Sequence, residues 1–129
     1  MLVIDTSAVV AALTEDPPPK TLQARLSTDG DLHAPHLLDV EVVHVLRRLV
    51  RQGTLRTARA EAALEDLGVL RIKRYPHVAL RERMWALRDN LTAYDAAFVA
   101  LSEALGVPLV TLDGRLARAS GHHAAVEVL

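Results

Sequence analysis

The chain has 129 residues, half of them hydrophobic, and it contains no cysteine. That length fits one domain over residues 1–129 with a sizeable core, and the lack of thiols excludes disulfides, zinc–cysteine sites and cysteine nucleophiles. The net charge of −1 does not mark a nucleic-acid binder, and no apolar run approaches the ~20 residues of a membrane helix. Because the N-terminus has no basic start and carries an Asp inside its apolar run, it is a poor signal peptide, and we expect a soluble, cytoplasmic protein.

Short apolar runs alternate with helical patterns along the chain. Proline and glycine mark the boundaries: the prolines at 17–19 break the first helix, and Gly53, Gly68 and Gly106 end later ones. The predicted strands are residues 2–4, 32–34, 69–75, 108–111 and 126–129. The predicted helices are residues 5–13, 20–26, 36–51, 57–67, 76–89, 92–105 and 114–119. Buried strands alternating with helices indicate an α/β domain with a parallel sheet.

Four acids lie where an open α/β sheet binds its ligands. Asp5 directly follows the first strand, and Asp113 follows the strand that ends at residue 111. Asp95 lies in the first turn of its helix, and Glu41 lies about a turn and a half into a helix that follows a strand. Helices that follow parallel strands begin at this same edge. The four carboxylates therefore meet in one crevice if the strand order brings their strands together.

Each acid also has a purely structural interpretation. Asp5 and Asp113 occupy helix N-cap positions, and Asp95 stands three residues after Thr92, which is a capping-box spacing. Glu41 lies at the edge of an apolar stripe on its helix, where a carboxylate needs either an Arg partner or a metal ion. The stripe consists of Leu38, Val42, Val45 and Leu49.

Charge determines what four adjoining carboxylates would do. Two of them ~4 Å apart repel by ~4 kcal/mol at an effective dielectric constant near 20, so the group needs protons or a cation. Oxygen ligands without cysteine favour Mg²⁺ or Mn²⁺, and such ions activate water and clamp a phosphate. Thr6, Ser7 and Thr111 border the same edge, where they would hold water or phosphate, or act as helix caps.

Four segments of the chain resemble those of PIN-domain ribonucleases, specifically the VapC-type toxins of type II toxin–antitoxin systems. They lie in the order of that family and together span nearly the whole chain. The segments are VIDTSAVVAAL from residue 3, LLDVEVVHVLRR from residue 37, LTAYDAAFVALSEALG from residue 91 and VPLVTLDGRLARA from residue 107. The resemblance implies a PIN-like fold, in which α-helices flank a central parallel β-sheet on both sides.

The resemblance also implies a metal-dependent endoribonuclease that cleaves RNA, commonly tRNA or rRNA. By position, Asp5 and Asp95 would be the core ligands of one or two Mg²⁺ or Mn²⁺ ions, and Glu41 and Asp113 would complete the acidic set directly or through water. Family members usually form homodimers and are neutralised by a VapB-type antitoxin in a heterotetramer or larger complex. The antitoxin's C-terminal segment lies in a groove and can push a basic residue into the acidic site.

Two surfaces are candidates for binding partners. Five Arg and no acid lie between residues 42 and 60, and we take Arg47, Arg48 and Arg51 as candidate RNA contacts, with a solvated helix surface as the alternative. His44 is a candidate for the rim of the acidic pocket, since it follows Glu41 by three residues. Apolar residues of the first two helices are the candidate antitoxin groove, with ordinary core as the alternative. They are Val9, Val10, Leu13, Leu22 and Leu26.

Three other functions occur in α/β domains of this size. A phosphoacceptor receiver domain needs an acidic pair after the first strand, and a haloacid-dehalogenase-type phosphatase needs DxDx[TV] there. Here Asp5 is followed by Thr6 and Ser7, so both fit poorly. The third alternative is a non-catalytic PIN-fold module that binds RNA or a protein, against which the presence of all four acids argues.

Overall fold

The computed structural model describes residues 1–129, in which five strands form one wholly parallel sheet. The strands are β1 (Leu2–Ile4), β2 (Leu32–Pro35), β3 (Ile72–Tyr75), β4 (Leu109–Thr111) and β5 (Val126–Val128). The helices are α1 (Thr6–Thr14), α2 (Lys20–Thr28), α3 (Leu37–Arg51), α4 (Thr57–Val69), α5 (Arg81–Ala86), α6 (Ala93–Leu105) and α7 (Gly114–Arg118). The α/β class and the parallel sheet are confirmed.

The sheet order is β3-β2-β1-β4-β5, which places β1 beside β4. Val3 lies opposite His33 of β2 on one side and opposite Leu109 of β4 on the other. The chain runs outward from β1 through β2 to β3 and then returns to the far side of β1. The order therefore reverses between β1 and β4, and in open α/β sheets ligands bind outside the carboxyl ends of the strands at such a point.

Helices cover both faces of the sheet. Right-handed crossovers place α1 to α4 on one face and α5 to α7 on the other. In agreement, α1 packs against α3 and α4, whereas α5 packs against α6. All three residues of β1 and of β4 are buried, as expected for central parallel strands covered on both faces. None of the helices combines the length and the apolar character needed to cross a membrane.

The predicted strand over residues 69–75 is too long at its start. Helix α4 continues through Gly68 to Val69, and β3 begins only at Ile72. Gly68 ends the helix in the prediction, but it does not adopt the left-handed conformation of a C-terminal glycine cap. Gly106 does adopt that conformation, with φ 65°, and it ends α6 as predicted.

The predicted helix over residues 76–89 is also wrong in extent. A 3₁₀ turn over Val78–Leu80 leads into α5, which is only six residues long. The Leu87 N–H is shared between two carbonyls at 3.2 Å each, and the Arg88 N–H donates to the Trp85 carbonyl at 3.1 Å. Bonds of the i to i+3 type tighten the backbone, so the α-helix ends there.

The predicted antitoxin groove is not a surface. Leu26 is partly buried against the core, and the other four residues of that set are fully inside it. Their exposed fractions range from 0 to 8%, and they are Val9, Val10, Leu13 and Leu22. The prediction was wrong because α1 is covered by the sheet and by its helical neighbours, so its apolar residues form ordinary core.

Candidate active site

Asp5 follows β1 directly, and three donors hold its carboxylate. Oδ1 accepts from the Ser7 hydroxyl at 2.7 Å and from the Ala8 N–H at 3.0 Å, so Asp5 caps α1. Oδ2 accepts from the Thr111 hydroxyl of β4 at 2.5 Å. The side chain is 7% exposed, and burial raises the pKa of Asp5 although the hydrogen bonds oppose that shift. Asp5 therefore forms the predicted helix cap, and its carboxylate lies at the carboxyl edge of the sheet.

Ser7 and Thr111 tie the two central strand ends together. Their hydroxyl oxygens lie 3.3 Å apart. The Ser7 hydroxyl also accepts from the Leu112 N–H at 3.0 Å, and the Thr111 hydroxyl accepts from the Asp113 N–H at 2.9 Å. Because both hydroxyls donate to Asp5, the loop after β4 is fastened to the Asp5 carboxylate.

Glu41 reaches the same region from α3. Its Oε1 accepts from the Thr6 hydroxyl at 3.0 Å, so the third predicted hydroxyl orients a second acid. Glu41 is half-buried, and burial raises its pKa, with further raising contributions from the charges of Asp95 and Asp5. No Arg or Lys forms an ion pair with Glu41, so the structural alternative of a salt bridge is not what holds it.

Asp95 lies in the first turn of α6, where its N–H donates to the capping Thr92 hydroxyl at 3.2 Å. Burial raises the pKa of Asp95, and the nearby Arg115 charge partly offsets the shift. The predicted cap is thus Thr92, and the Asp95 carboxylate makes no ion pair.

Asp113 caps α7 and is held by Arg115, a residue that the sequence analysis did not single out. Its Oδ1 accepts from the Arg115 backbone N–H at 2.9 Å. The Arg115 guanidinium Nε lies 3.0 and 2.8 Å from the two carboxylate oxygens, and its Nη2 lies 2.5 Å from Oδ2. The guanidinium lowers the pKa of Asp113. The signal available in the sequence was an Arg two residues after a capping Asp.

All four acids line one open cavity of about 330 Å³ at the switch point between β1 and β4. The strand order, with β1 beside β4, therefore brings the four acids to one cavity. His44 and Arg48 line the same cavity, one α-helical turn apart on α3. Arg47 and Arg51 are exposed and do not line it.

The donor set of this cavity suits a hard divalent cation. Its acids offer only oxygen ligands, and Asp5, Glu41 and Asp95 have no basic ion-pair partner to offset their charge. In the present arrangement no three acidic or histidine side chains are close enough together to form a ligand group. Asp5 instead turns to two hydroxyls, and Asp113 turns to Arg115.

Comparison with known proteins shows the family of this chain. The sequence profile of the PIN domain matches residues 2–121. The chain belongs to the PIN-domain family. Curated relatives of this PIN-domain protein include "Ribonuclease VapC9" of Mycobacterium tuberculosis, which is 47% identical over 116 residues (90% of this chain, 88% of the relative). "Ribonuclease VapC12" of the same species is 36% identical over 129 residues (100% and 99%).

Solved structures share the fold along nearly the whole chain. PAE2754 from Pyrobaculum aerophilum is 26% identical, with a TM-score of 0.70 over 95% of this chain and 87% of that one. VapBC2 from Rickettsia felis, solved bound to a DNA fragment from its promoter, has a TM-score of 0.74 at 13% identity, over 98% and 97%. VapC20 of Mycobacterium tuberculosis, titled a Sarcin-Ricin loop cleaving toxin, has a TM-score of 0.59 at 18% identity, over 92% and 94%. At these low identities the last two support the fold alone.

Proposed function

We propose that this PIN-domain protein is a metal-dependent endoribonuclease that acts as the toxin of a type II toxin–antitoxin pair. The observation that carries the proposal is the convergence of Asp5, Glu41, Asp95 and Asp113 on one cavity at the switch point of the sheet. The ribonuclease names of relatives that share 47% of the aligned residues support it.

The four acids would hold one or two Mg²⁺ or Mn²⁺ ions, with Asp5 and Asp95 as the core ligands. Such an ion, when bound, activates water and clamps a phosphate for in-line attack. Ser7 and Thr111 keep the Asp5 carboxylate in place, and Thr6 does the same for Glu41. Because burial already opposes ionisation of Asp5, these hydroxyls help keep it in the charged form that a cation needs.

The RNA backbone would lie along the side of the cavity formed by α3. His44 and Arg48 line this side, and Arg51 follows Arg48 by one turn on the surface of the helix. Positive charge beside an acidic pocket holds the phosphates while cations in the pocket offset the acids. Arg47, Arg48 and Arg51 remain the proposed RNA contacts, and a structured RNA such as tRNA or rRNA is the proposed substrate.

The proposed protein partner is a VapB-type antitoxin. The VapC names of the relatives that share 47% of the aligned residues support a partner of this kind. We further propose a homodimer that binds the antitoxin as a heterotetramer or larger complex.

The test is cleavage of total cellular RNA by the purified, antitoxin-free protein with Mg²⁺, with Mn²⁺ or with EDTA. We expect discrete cuts with either metal, none with EDTA, and none with the Asp95→Asn variant. Asp66→Asn is the matched control, because Asp66 is an exposed acid on α4 that makes no ion pair, and it should cut like the wild type.

Three results would count against the proposal. Cleavage that survives EDTA contradicts the metal dependence, and wild-type cleavage by Asp95→Asn contradicts the site assignment. RNA that is bound but never cut, with unchanged toxicity of Asp95→Asn, would favour the non-catalytic binding module instead.

A further inference from the structure

Arg115 differs from every other basic residue of the chain in its position relative to the acids. Its guanidinium lines the acidic cavity, and its Nε and Nη2 donate hydrogen bonds to the two carboxylate oxygens of Asp113. Its charge also acts on Asp95, which lines the same cavity. Arg48 lines the cavity too, but it makes no ion pair with any of the four acids.

Among the four acids, Asp113 is the one whose charge is neutralised. Asp5, Glu41 and Asp95 have no cationic partner, and burial raises the pKa of each of them. Asp113 has the opposite shift, because Arg115 bonds to it. The only ion pair of the cavity is therefore the one between Arg115 and Asp113.

Nothing else holds Arg115 in this position. The side chain is 71% exposed, and each of its side-chain hydrogen bonds goes to Asp113. The guanidinium can therefore turn into solvent without breaking any other side-chain hydrogen bond. A bidentate pair satisfies the carboxylate oxygens that a cation would need, so the two cannot both be bound there.

We propose that Arg115 is a built-in counterion that competes with the divalent metal for the Asp113 carboxylate. Arg115 must leave Asp113 before the four acids can bind the metal together. The inference rests on the proposed metal-dependent function and adds a positioning residue to it. In the present arrangement the Asp113 carboxylate is turned toward Arg115.

The test measures Mn²⁺ affinity of the purified protein by calorimetric titration, without RNA. We expect Arg115→Gln to bind Mn²⁺ about fivefold more tightly than the wild type, because an exposed ion pair is a weak competitor. Arg118→Gln is the control, because it removes the same charge from the same helix. Since Arg118 acts on Asp113 only at a distance, this variant should change the Mn²⁺ affinity by less than about twofold. Arg115→Lys keeps the charge without the planar fork and should give an intermediate value.

An Asp113→Asn background makes the test specific. If Arg115 acts through Asp113, Arg115→Gln has no further effect there, as in a double-mutant cycle. Equal gains from Arg115→Gln and Arg118→Gln, or no gain from either, would overturn the inference while metal-dependent RNA cleavage still stood. If no variant binds Mn²⁺ at all, both the inference and the proposed metal dependence are wrong.

Discussion

Replacing Thr111 with valine tests whether hydroxyl groups hold the Asp5 carboxylate in its charged form. Thr111 is completely buried in β4, and valine has nearly the same shape and a higher strand preference. The substitution therefore removes one hydroxyl without opening a cavity. What it removes is the bond to Asp5 Oδ2 and the acceptor for the Asp113 N–H.

The size of the effect follows from those two bonds. A hydrogen bond to a buried charged group contributes about 1.5–3 kcal/mol, and an ordinary one about 1 kcal/mol. Asp5 keeps its bonds from Ser7 and from the Ala8 N–H, so the carboxylate is not left bare. Taking the lower end for the Asp5 bond, we expect Thr111→Val to lower the free energy of unfolding by about 2.5 kcal/mol, which lowers Tm by roughly 10 °C in a domain of this size.

The loss should depend on pH in a definite direction. Burial raises the pKa of Asp5 in the folded state, so folding loses stability as the pH rises from the unfolded pKa through the folded one. The Thr111 hydroxyl opposes this shift by stabilising the charged form. Without it the folded pKa rises further, so the variant should be weakest relative to the wild type at neutral pH and should approach it in acid.

The assay is thermal unfolding in EDTA across a range of pH, with Thr14→Val as the control. The Thr14 hydroxyl donates to the Val10 carbonyl at 2.7 Å, so this variant loses a bond to a neutral acceptor. It should cost about 1 kcal/mol at every pH. If Thr111→Val stays within about 0.5 kcal/mol of the wild type at neutral pH, or loses the same amount at every pH, the reasoning about Asp5 is wrong.

Two further predictions concern stability. In EDTA at neutral pH, Asp95→Asn should unfold at a higher temperature than the wild type, because burial raises the pKa of Asp95 and disfavours its charged form in the folded state. Added Mn²⁺ should raise the Tm of the wild type more than the Tm of the variant. Gly106→Ala should destabilise the protein by about 1 kcal/mol, since Gly106 has φ 65° and no atom lies near its Cβ position, whereas Gly68→Ala inside α4 should stabilise it by about 0.5 kcal/mol. Urea unfolding measures both changes in the free energy of unfolding, and changes of the same sign would contradict the backbone argument.

Helix caps and helix ends that depend on residues within one helical turn were predictable from the sequence. Asp5 and Asp113 cap α1 and α7, and Thr92 caps α6, because a cap bond joins residues only two or three apart. Helix α6 ends at Gly106 for the same local reason. The errors also have local causes: Gly68 is equally compatible with a helix end and with the helical conformation that it adopts.

Exposure was harder to read from the sequence. An apolar stripe looks the same in the sequence whether a partner protein or the protein's own core covers it. The apolar residues of α1 and α2 therefore predict a groove, although four of the five lie in the core and Leu26 is partly buried against it. The role of Arg115 was missed for a related reason. A guanidinium on a flexible arm has many possible partners, and only the folded loop after β4 shows that it turns back onto Asp113.

The α/β class, the four acids and the caps at three helix starts follow from the sequence alone, because they depend on residue type and on contacts within a few residues. The meeting of the acids in one cavity depends on the tertiary fold. Asp5 and Thr111 are 106 residues apart in the chain, and their hydrogen bond exists because β1 pairs with β4. Strand order is settled by how all the helices and strands bury their apolar faces together, and no single segment carries that information.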